Sequence, residues 1–89
     1  MFKVTVYGTG NSKCRQMRIR VHNALWMLGL RDFQVEVEGD IRKFPADITD
    51  TPAMSVDGST LVVGRLPEIA EIQRLLAPYA LGRDIPKAA

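Results

Sequence analysis

The residue of this chain with the clearest capacity for chemistry is Cys14, its one cysteine. It follows the run Gly10-Asn11-Ser12-Lys13 and precedes Arg15. The sequence predicts that a helix begins at about Ser12, so Cys14 lies in its first turn. Unpaired amide groups and the positive end of a helix dipole stabilise a thiolate at such a place. The cations of Lys13 and Arg15 favour the thiolate further. The functional interpretation is a reactive single thiol that forms mixed disulfides with glutathione or with a protein thiol.

A structural interpretation of the same residues stays open. Free cysteine is among the most frequently buried residue types, and Cys14 lies on the apolar stripe of the predicted helix. Asn11 suits an N-cap, where losing the side chain costs about 1 kcal/mol. One thiol cannot form an internal disulfide, and one histidine, His22, cannot build a metal cluster. We therefore expect His22 at the surface and no metal or other cofactor.

The composition is that of one globular domain. The chain has 89 residues, of which 46% are hydrophobic and 25% are charged. It contains no apolar run of the roughly 20 residues that span a bilayer. Its first residues are strand-like, so we expect no signal peptide. We expect a cytoplasmic protein, with a domain over residues 1–80 and a flexible tail over residues 81–89.

Positive charge is concentrated in the first third of the chain. Residues 1–31 contain six basic residues and no acidic one, whereas residues 32–89 contain ten acids and six bases. A helix with several bases can contact phosphates, but an ordinary solvated face is the favoured interpretation. Trp26 is expected in the core, so no aromatic residue is predicted on the basic face, and nucleic-acid binding is the weaker hypothesis. The bases of the predicted helix are Lys13, Arg15, Arg18 and Arg20.

Two periodicities define the predicted elements. Apolar residues alternate with polar ones in the predicted strands and recur every three or four residues in the predicted helices. Asp57-Gly58 supplies a tight hairpin turn, and Pro78 is expected to end the last helix. Gly8-Thr9-Gly10 lacks the later glycine of a nucleotide-binding loop. The predicted order is strand 2–7, helix 12–28, strand 33–38, irregular turns 40–48, strands 53–57 and 60–64, and helix 67–77.

This order predicts an α/β fold. A strand, a crossover helix and a second strand form a right-handed parallel unit, and a hairpin adds antiparallel strands. The result is a four-stranded mixed sheet with helices on both faces. The thioredoxin or glutaredoxin core has this order, and a ferredoxin-like α+β sandwich is the alternative.

Two segments resemble the small thioredoxin-like redox-active disulfide proteins of bacteria and archaea. Residues 7–14, YGTGNSKC, are similar to the Tyr-Gly-Thr-Gly-Cys-x-x-Cys loop of that family. Residues 51–58, TPAMSVDG, look like its cis-proline, strand and Asp-Gly hairpin, and Val63-Gly64-Arg65 also fits the family. The resemblance implies a thioredoxin-like fold, a cis bond before Pro52, and a Thr51 backbone that faces an extended peptide or glutathione.

The sequence also departs from that family. Asn11 occupies the position of the first, nucleophilic cysteine, and Cys14 matches the second. The dithiol exchange that the resemblance implies is therefore not available within this chain. We expect a thiol-disulfide redox protein that acts at most through Cys14, with weak or absent dithiol activity. The alternative is a non-catalytic protein- or peptide-binding module, in which Thr51 and Pro52 still contact the ligand.

Overall fold

Within the described residues, four strands, two α-helices and a short 3-10 helix make up the fold. They are β1 (Phe2–Tyr7), α1 (Ser12–Met27), β2 (Phe33–Glu38), the 3-10 helix (Ile41–Lys43), β3 (Ala53–Val56), β4 (Ser59–Val63) and α2 (Ile69–Leu81). The computed structural model describes residues 2–81. The sheet order is β2-β1-β3-β4; β1 is parallel to β2 and antiparallel to β3, which is antiparallel to β4. The predicted mixed four-stranded α/β sheet is confirmed.

Both α-helices pack on the same face of the sheet. Val4 and Val6 of β1 point to that face with fully buried side chains, because alternate strand residues point to opposite sides. The helices cover these strand residues with stripes spaced three or four residues apart. The buried helix residues are Cys14, Met17, Val21, Ala24 and Leu25 of α1, and Ile72 and Leu76 of α2.

The other face carries a thinner cover. Tyr7, Ile48 and Ala53 form a small second core, against which Phe44 and Val63 pack. The segment that contributes Phe44 and Ile48 contains only a three-residue 3-10 helix. Helices were predicted on both faces of the sheet, and the helix on this face is the short 3-10 helix. Proline at position 45 lacks the N–H group that a longer helix would require.

The hairpin forms at the predicted turn. Asp57 and Gly58 have φ angles of +48° and +91°. Positive φ at both central residues gives a two-residue turn whose twist matches that of the strands. The Asp57 carboxylate also accepts a hydrogen bond from the Lys3 N–H at 3.0 Å. The turn is thereby fastened to β1, and both strands end one residue earlier than predicted.

The last helix is longer than predicted. It continues through Pro78, which was expected to end it, and reaches Leu81. Tyr79, beyond the proline, packs against the main core, and this burial offsets the hydrogen bond that Pro78 cannot donate. The predicted tail, residues 81–89, lies outside the described residues except for Leu81, which belongs to α2. No helix within residues 2–81 is long and apolar enough to cross a membrane.

Candidate functional site

The loop before α1 is closed by a side-chain cap. Asn11 has extended backbone angles, and its Oδ1 accepts a hydrogen bond from the Cys14 N–H at 2.9 Å. The Asn11 carbonyl accepts the first helical bond, from the Arg15 N–H at 3.1 Å. The predicted N-cap is confirmed. A cap of this kind stabilises a helix by about 1 kcal/mol, so folding alone gives a reason for asparagine here.

Cys14 lies in the first turn of α1 and is sealed from solvent. Its side chain is 2% exposed. The thiol packs on Gly8, where an added Cβ would lie 2.8 Å from Sγ and 2.9 Å from Cβ of the cysteine. Any larger residue at position 8 would therefore displace the cysteine. This burial is what the structural interpretation of Cys14 requires.

The cations next to Cys14 in sequence do not surround its sulfur. Lys13 and Arg15 are both exposed, whereas the cysteine side chain points into the core. Successive helix residues point about 100° apart, which separates the three side chains. No hydrogen bond or ion pair joins either cation to Cys14 within residues 2–81. Neither of these two cations therefore has a direct contact with the thiol.

The loop before β3 is held by backbone and side-chain contacts. The Thr51–Pro52 peptide bond is cis, and Pro52 is buried. The Pro52 carbonyl accepts a hydrogen bond from the Gly64 N–H at 2.9 Å, and the Asp50 carboxylate accepts one from the Thr51 N–H at 2.8 Å. Gly64 has a φ of +76°, and a Cβ there would lie 3.0 Å from Asp50 Oδ2. The absence of a side chain at position 64 thus lets the loop close against β4.

The two loops meet at one end of the sheet. The antiparallel register between β1 and β3 ends with Tyr7 opposite Ala53. Continuing that register by one residue places Gly8 opposite Pro52. Since Gly8 touches Cys14, the cysteine and the proline loop adjoin through one glycine. The structure therefore brings together the two segments that the sequence analysis singled out.

An open cleft lies beside this junction. It has a volume of about 240 Å³ and joins the loop after β1 to the loop before β3. Ile41, at its edge, is 67% exposed. The lining residues are Thr9, Ile41, Phe44, Ile48, Thr49, Asp50 and Thr51. The cleft therefore offers apolar surface next to the backbone of Thr51, at the place where the resemblance implies contact with a ligand.

An aromatic contact and a buried hydrogen bond support the residues that line the cleft. The Phe44 and Tyr7 rings meet edge to face, with centroids 5.3 Å apart. The Tyr7 hydroxyl shares a 3.0 Å hydrogen bond with the Ser55 hydroxyl inside the protein. Residues 40–48, which include Phe44 and Ile48, were predicted to form irregular turns, and the cleft was not predicted. The spacing of Phe44 and Ile48 was a signal, but it does not distinguish the wall of a cleft from a core.

Two ion pairs lie on the surface around the site, away from the thiol. Side-chain hydrogen bonding from Arg42, with a further bond from its backbone N–H, lowers the pKa of Asp40 below its ordinary value. Side-chain hydrogen bonding from Arg65 lowers the pKa of Glu71 in the same way. Within the described part of the chain, no cluster of three His, Cys, Asp or Glu side chains could hold a metal ion.

One aromatic residue is not where the sequence analysis expected it. Trp26 is 52% exposed, although it was predicted to lie in the core. The buried stripe of α1 is completed by Leu25, and position 26 points about 100° away from it. The Arg31 guanidinium lies 3.2 Å from the Trp26 ring centroid, and His22 is exposed as predicted. The basic side of α1 therefore does carry an aromatic residue.

The fold and the site together define the class of this protein. A helix with a cysteine in its first turn, a cis-proline loop beside it and a β-α-β unit extended by a hairpin are the features of a thioredoxin-like domain. A family model described as a thioredoxin domain matches residues 2–77. The chain belongs to this family of thiol-redox proteins.

Two archaeal relatives support the assignment. The thioredoxin of Methanothermobacter thermautotrophicus is 31% identical over 78 residues, which span 86% of this chain and 100% of the relative. The thioredoxin of Methanocaldococcus jannaschii is 28% identical over 83 residues, which span 93% of this chain and 95% of the relative.

Proposed function

We propose that this thioredoxin-like protein acts at most through one thiol, that of Cys14, and that its dithiol oxidoreductase activity is weak or absent. The observation that carries the proposal is the pairing of Asn11 with Cys14. The position three residues before the cysteine holds an amide that caps the helix, and the chain has no second thiol. An internal disulfide cannot form, so any exchange must use an external thiol.

The chemistry open to Cys14 is a two-step exchange with glutathione or a protein thiol. The Cys14 thiolate attacks the glutathione sulfur of a disulfide between glutathione and a partner protein, a Cys14–glutathione disulfide forms, and the partner's thiolate leaves. A glutathione thiolate then attacks the glutathione sulfur of this mixed disulfide and releases oxidised glutathione and the Cys14 thiolate. Since Cys14 is 2% exposed, we propose that the segment over residues 10–13, which includes the start of α1, moves before the sulfur is attacked.

The mass of the intact protein after incubation with oxidised glutathione tests this proposal. We expect one glutathione adduct on the wild-type chain and none on Cys14→Ser. The same incubation in urea shows the reactivity of the unfolded thiol. An adduct that forms in urea and never on the folded protein would mean that Cys14 is sealed permanently, and the redox proposal would fail.

A second candidate is a non-catalytic module that binds an extended peptide. The observation that favours it is the contrast in access between the buried thiol and the open cleft. Ile41 is 67% exposed beside the Thr51 backbone, so a peptide could contact both without reaching Cys14. Partner capture from an extract of the native cells, with three forms of the protein, separates the candidates. Capture that survives Cys14→Ala and is lost in Ile41→Ser would support the binding module. Capture lost in Cys14→Ala alone would support the redox protein.

A further inference from the structure

We propose that one side of α1, together with the free edge of β2, is a docking surface for an acidic, extended segment of a partner protein. We call the α1 part of this surface the basic flank. It is separate from the cleft and from Cys14, and its side chains are exposed. The residues of the basic flank are Arg15, Arg18, Ile19, His22 and Trp26.

Helix geometry makes the basic flank continuous. Its residues follow one another at steps of one, three or four positions, which keeps them on one side of a helix. From Arg15 to Trp26 the flank extends about 16 Å at a rise of 1.5 Å per residue. Ile19 is 51% exposed and Trp26 is 52% exposed, so apolar surface accompanies the charges. A flank of this length matches about five residues of an extended chain.

Among the described residues, the arginines of the basic flank have no acidic partner. Within residues 2–81, Arg15 and Arg18 form no ion pair and no side-chain hydrogen bond. Arg20, on the other side of α1, differs, because it donates to the Pro67 carbonyl at 2.9 Å and lies 3.6 Å from the Glu68 carboxylate. Residues 1–31 contain no acid at all. In the part of the chain that the structure describes, the flank is therefore a positive surface whose arginines are unpaired, and such a surface complements an acidic partner.

The position of β2 favours a polypeptide over a nucleic acid. β2 is an edge strand of the sheet, and the ring of Phe33, its first residue, meets the His22 ring edge to face at 5.4 Å. The free edge of β2 thus lies beside the basic flank. An extended polypeptide can hydrogen-bond to a strand edge, which a nucleic acid cannot do in the same regular way. The Arg31 guanidinium also covers one face of Trp26, where a base would stack.

The residues of β2 on the sheet face away from α1 determine the expected residue pattern of the partner. Glu36 lies on that side and is paired with Lys3 at 3.5 Å. An added strand would direct alternate side chains to the basic flank and to Glu36. Acidic residues therefore suit every second position of the partner, and uncharged or basic residues suit the positions between them.

Intrinsic fluorescence provides a direct test, because Trp26 is the one tryptophan of the chain. The probe is a ten-residue peptide of alternating Glu and Thr, titrated into the full-length protein at low salt. We expect a saturable change in Trp26 emission that weakens as salt is added. The double variant Arg15→Glu/Arg18→Glu should weaken binding at least about tenfold. The matched control Arg42→Glu/Arg74→Glu makes the same charge change elsewhere and should alter binding less than about twofold.

Further measurements distinguish an acidic extended peptide from other ligands of the basic flank. Amide exchange of β2 should slow when the Glu-Thr peptide binds, because strand addition protects edge N–H groups. A Lys-Thr peptide of the same length should not bind. The proposal is overturned by an emission change that does not saturate, or by equal binding to the double variant, once circular dichroism shows it folded. It is also overturned if a single-stranded oligothymidylate binds the basic flank more tightly than the Glu-Thr peptide, or if β2 exchange is unchanged at saturation.

Discussion

The loop before α1 and the loop before β3 adjoin at Gly8, yet they present opposite properties to a ligand. The first loop leads into the turn of α1 that carries the thiol, and the thiol there is hidden, since Cys14 is 2% exposed. The second loop has no thiol and opens into the cleft, where Ile41 is 67% exposed. The reactive group and the accessible surface therefore belong to different loops. Substitutions in each loop should separate thiol chemistry from ligand binding.

The two loops are also stabilised differently. The first depends on a local cap, in which Asn11 accepts from the Cys14 N–H three residues ahead. The second depends on a distant residue, because the Pro52 carbonyl is held by Gly64 of the connection after β4. A change at position 11 should therefore act on the start of α1, and a change at position 64 on the loop before β3.

The largest expected effect follows from restoring a second thiol to the first loop. Asn11→Cys should form an internal disulfide with Cys14 under mild oxidant, because the two positions already lie one helical turn apart. Insulin reduction should rise at least about tenfold, since an internal thiol replaces a collision with a second molecule. Intact mass and insulin turbidity measure the two results.

The matched control for that gain is Asn11→Ser, which keeps a capping side chain and adds no thiol. It should reduce insulin no faster than the wild type. If the Asn11→Cys variant keeps two free thiols under oxidant, the loop does not have disulfide geometry. The proposed difference in thiol chemistry between the two loops would then be wrong.

The next largest effect concerns the glycine where the loops meet. Gly8→Ala places a Cβ 2.8 Å from the Cys14 sulfur, and both groups are buried. Overpacking of this kind destabilises a protein by about 1–3 kcal/mol, measured by urea unfolding. Gly39→Ala is the control, because a Cβ there is 3.4 Å from the Gly8 carbonyl oxygen and has no closer neighbour. Equal losses in the two variants would contradict the tight contact.

Much of this arrangement could be predicted from local pattern. The alternation in Phe33–Glu38 gave β2 its observed bounds, and Asn11 was expected as the cap that it forms. Asp57 and Gly58 marked the hairpin turn because few other residues accept positive φ. Each of these features is decided by residues within one or two turns of chain, so the sequence alone contains the information.

What could not be predicted depends on contacts between distant residues. Pro78 reads locally as a helix end, yet Tyr79 packs on the core beyond it. Trp26 was expected inside because it is large and apolar, yet the core is filled by Leu25 and the ring lies under Arg31. The cleft was missed for the same reason, since its walls come from three separate segments. Composition does not reveal how such segments meet.

The second loop can be tested through its distant anchor. Gly64→Ala meets two penalties: the positive φ of +76°, which costs roughly 1–2 kcal/mol, and the Asp50 carboxylate 3.0 Å away. Gly29→Ala is a matched control, because Gly29 has a φ of +82° with open space around it. The difference between the two variants in urea unfolding measures the Asp50 contact. Identical losses would show that Asp50 does not constrain the loop before β3.

The smallest expected effect comes from the ion pair between Arg65, which follows Gly64, and Glu71. The Arg65 guanidinium donates to Glu71 at 2.8 Å and holds the pKa of that carboxyl below its ordinary value of 4.5. A carboxyl group with a lowered pKa in the folded state adds stability that is present above pH 4.5 and is lost as pH falls through the lowered pKa. Both side chains are partly exposed, so Arg65→Ala should lower Tm by no more than a few degrees near neutral pH.

That difference between Arg65→Ala and the wild type should shrink in strong acid, where Glu71 is protonated in both proteins. Thermal unfolding at neutral and acidic pH measures it, with Arg74→Ala as the control, because Arg74 acts on Glu71 only through long-range attraction. A difference that persists in acid would mean that Arg65 stabilises the chain through something other than its charge pair. Amide exchange of Gly64 adds a sharper readout. If the hydrogen bond to Pro52 is independent of α2, that exchange rate should not change when the pair is broken, and the loop before β3 is then held by the sheet alone.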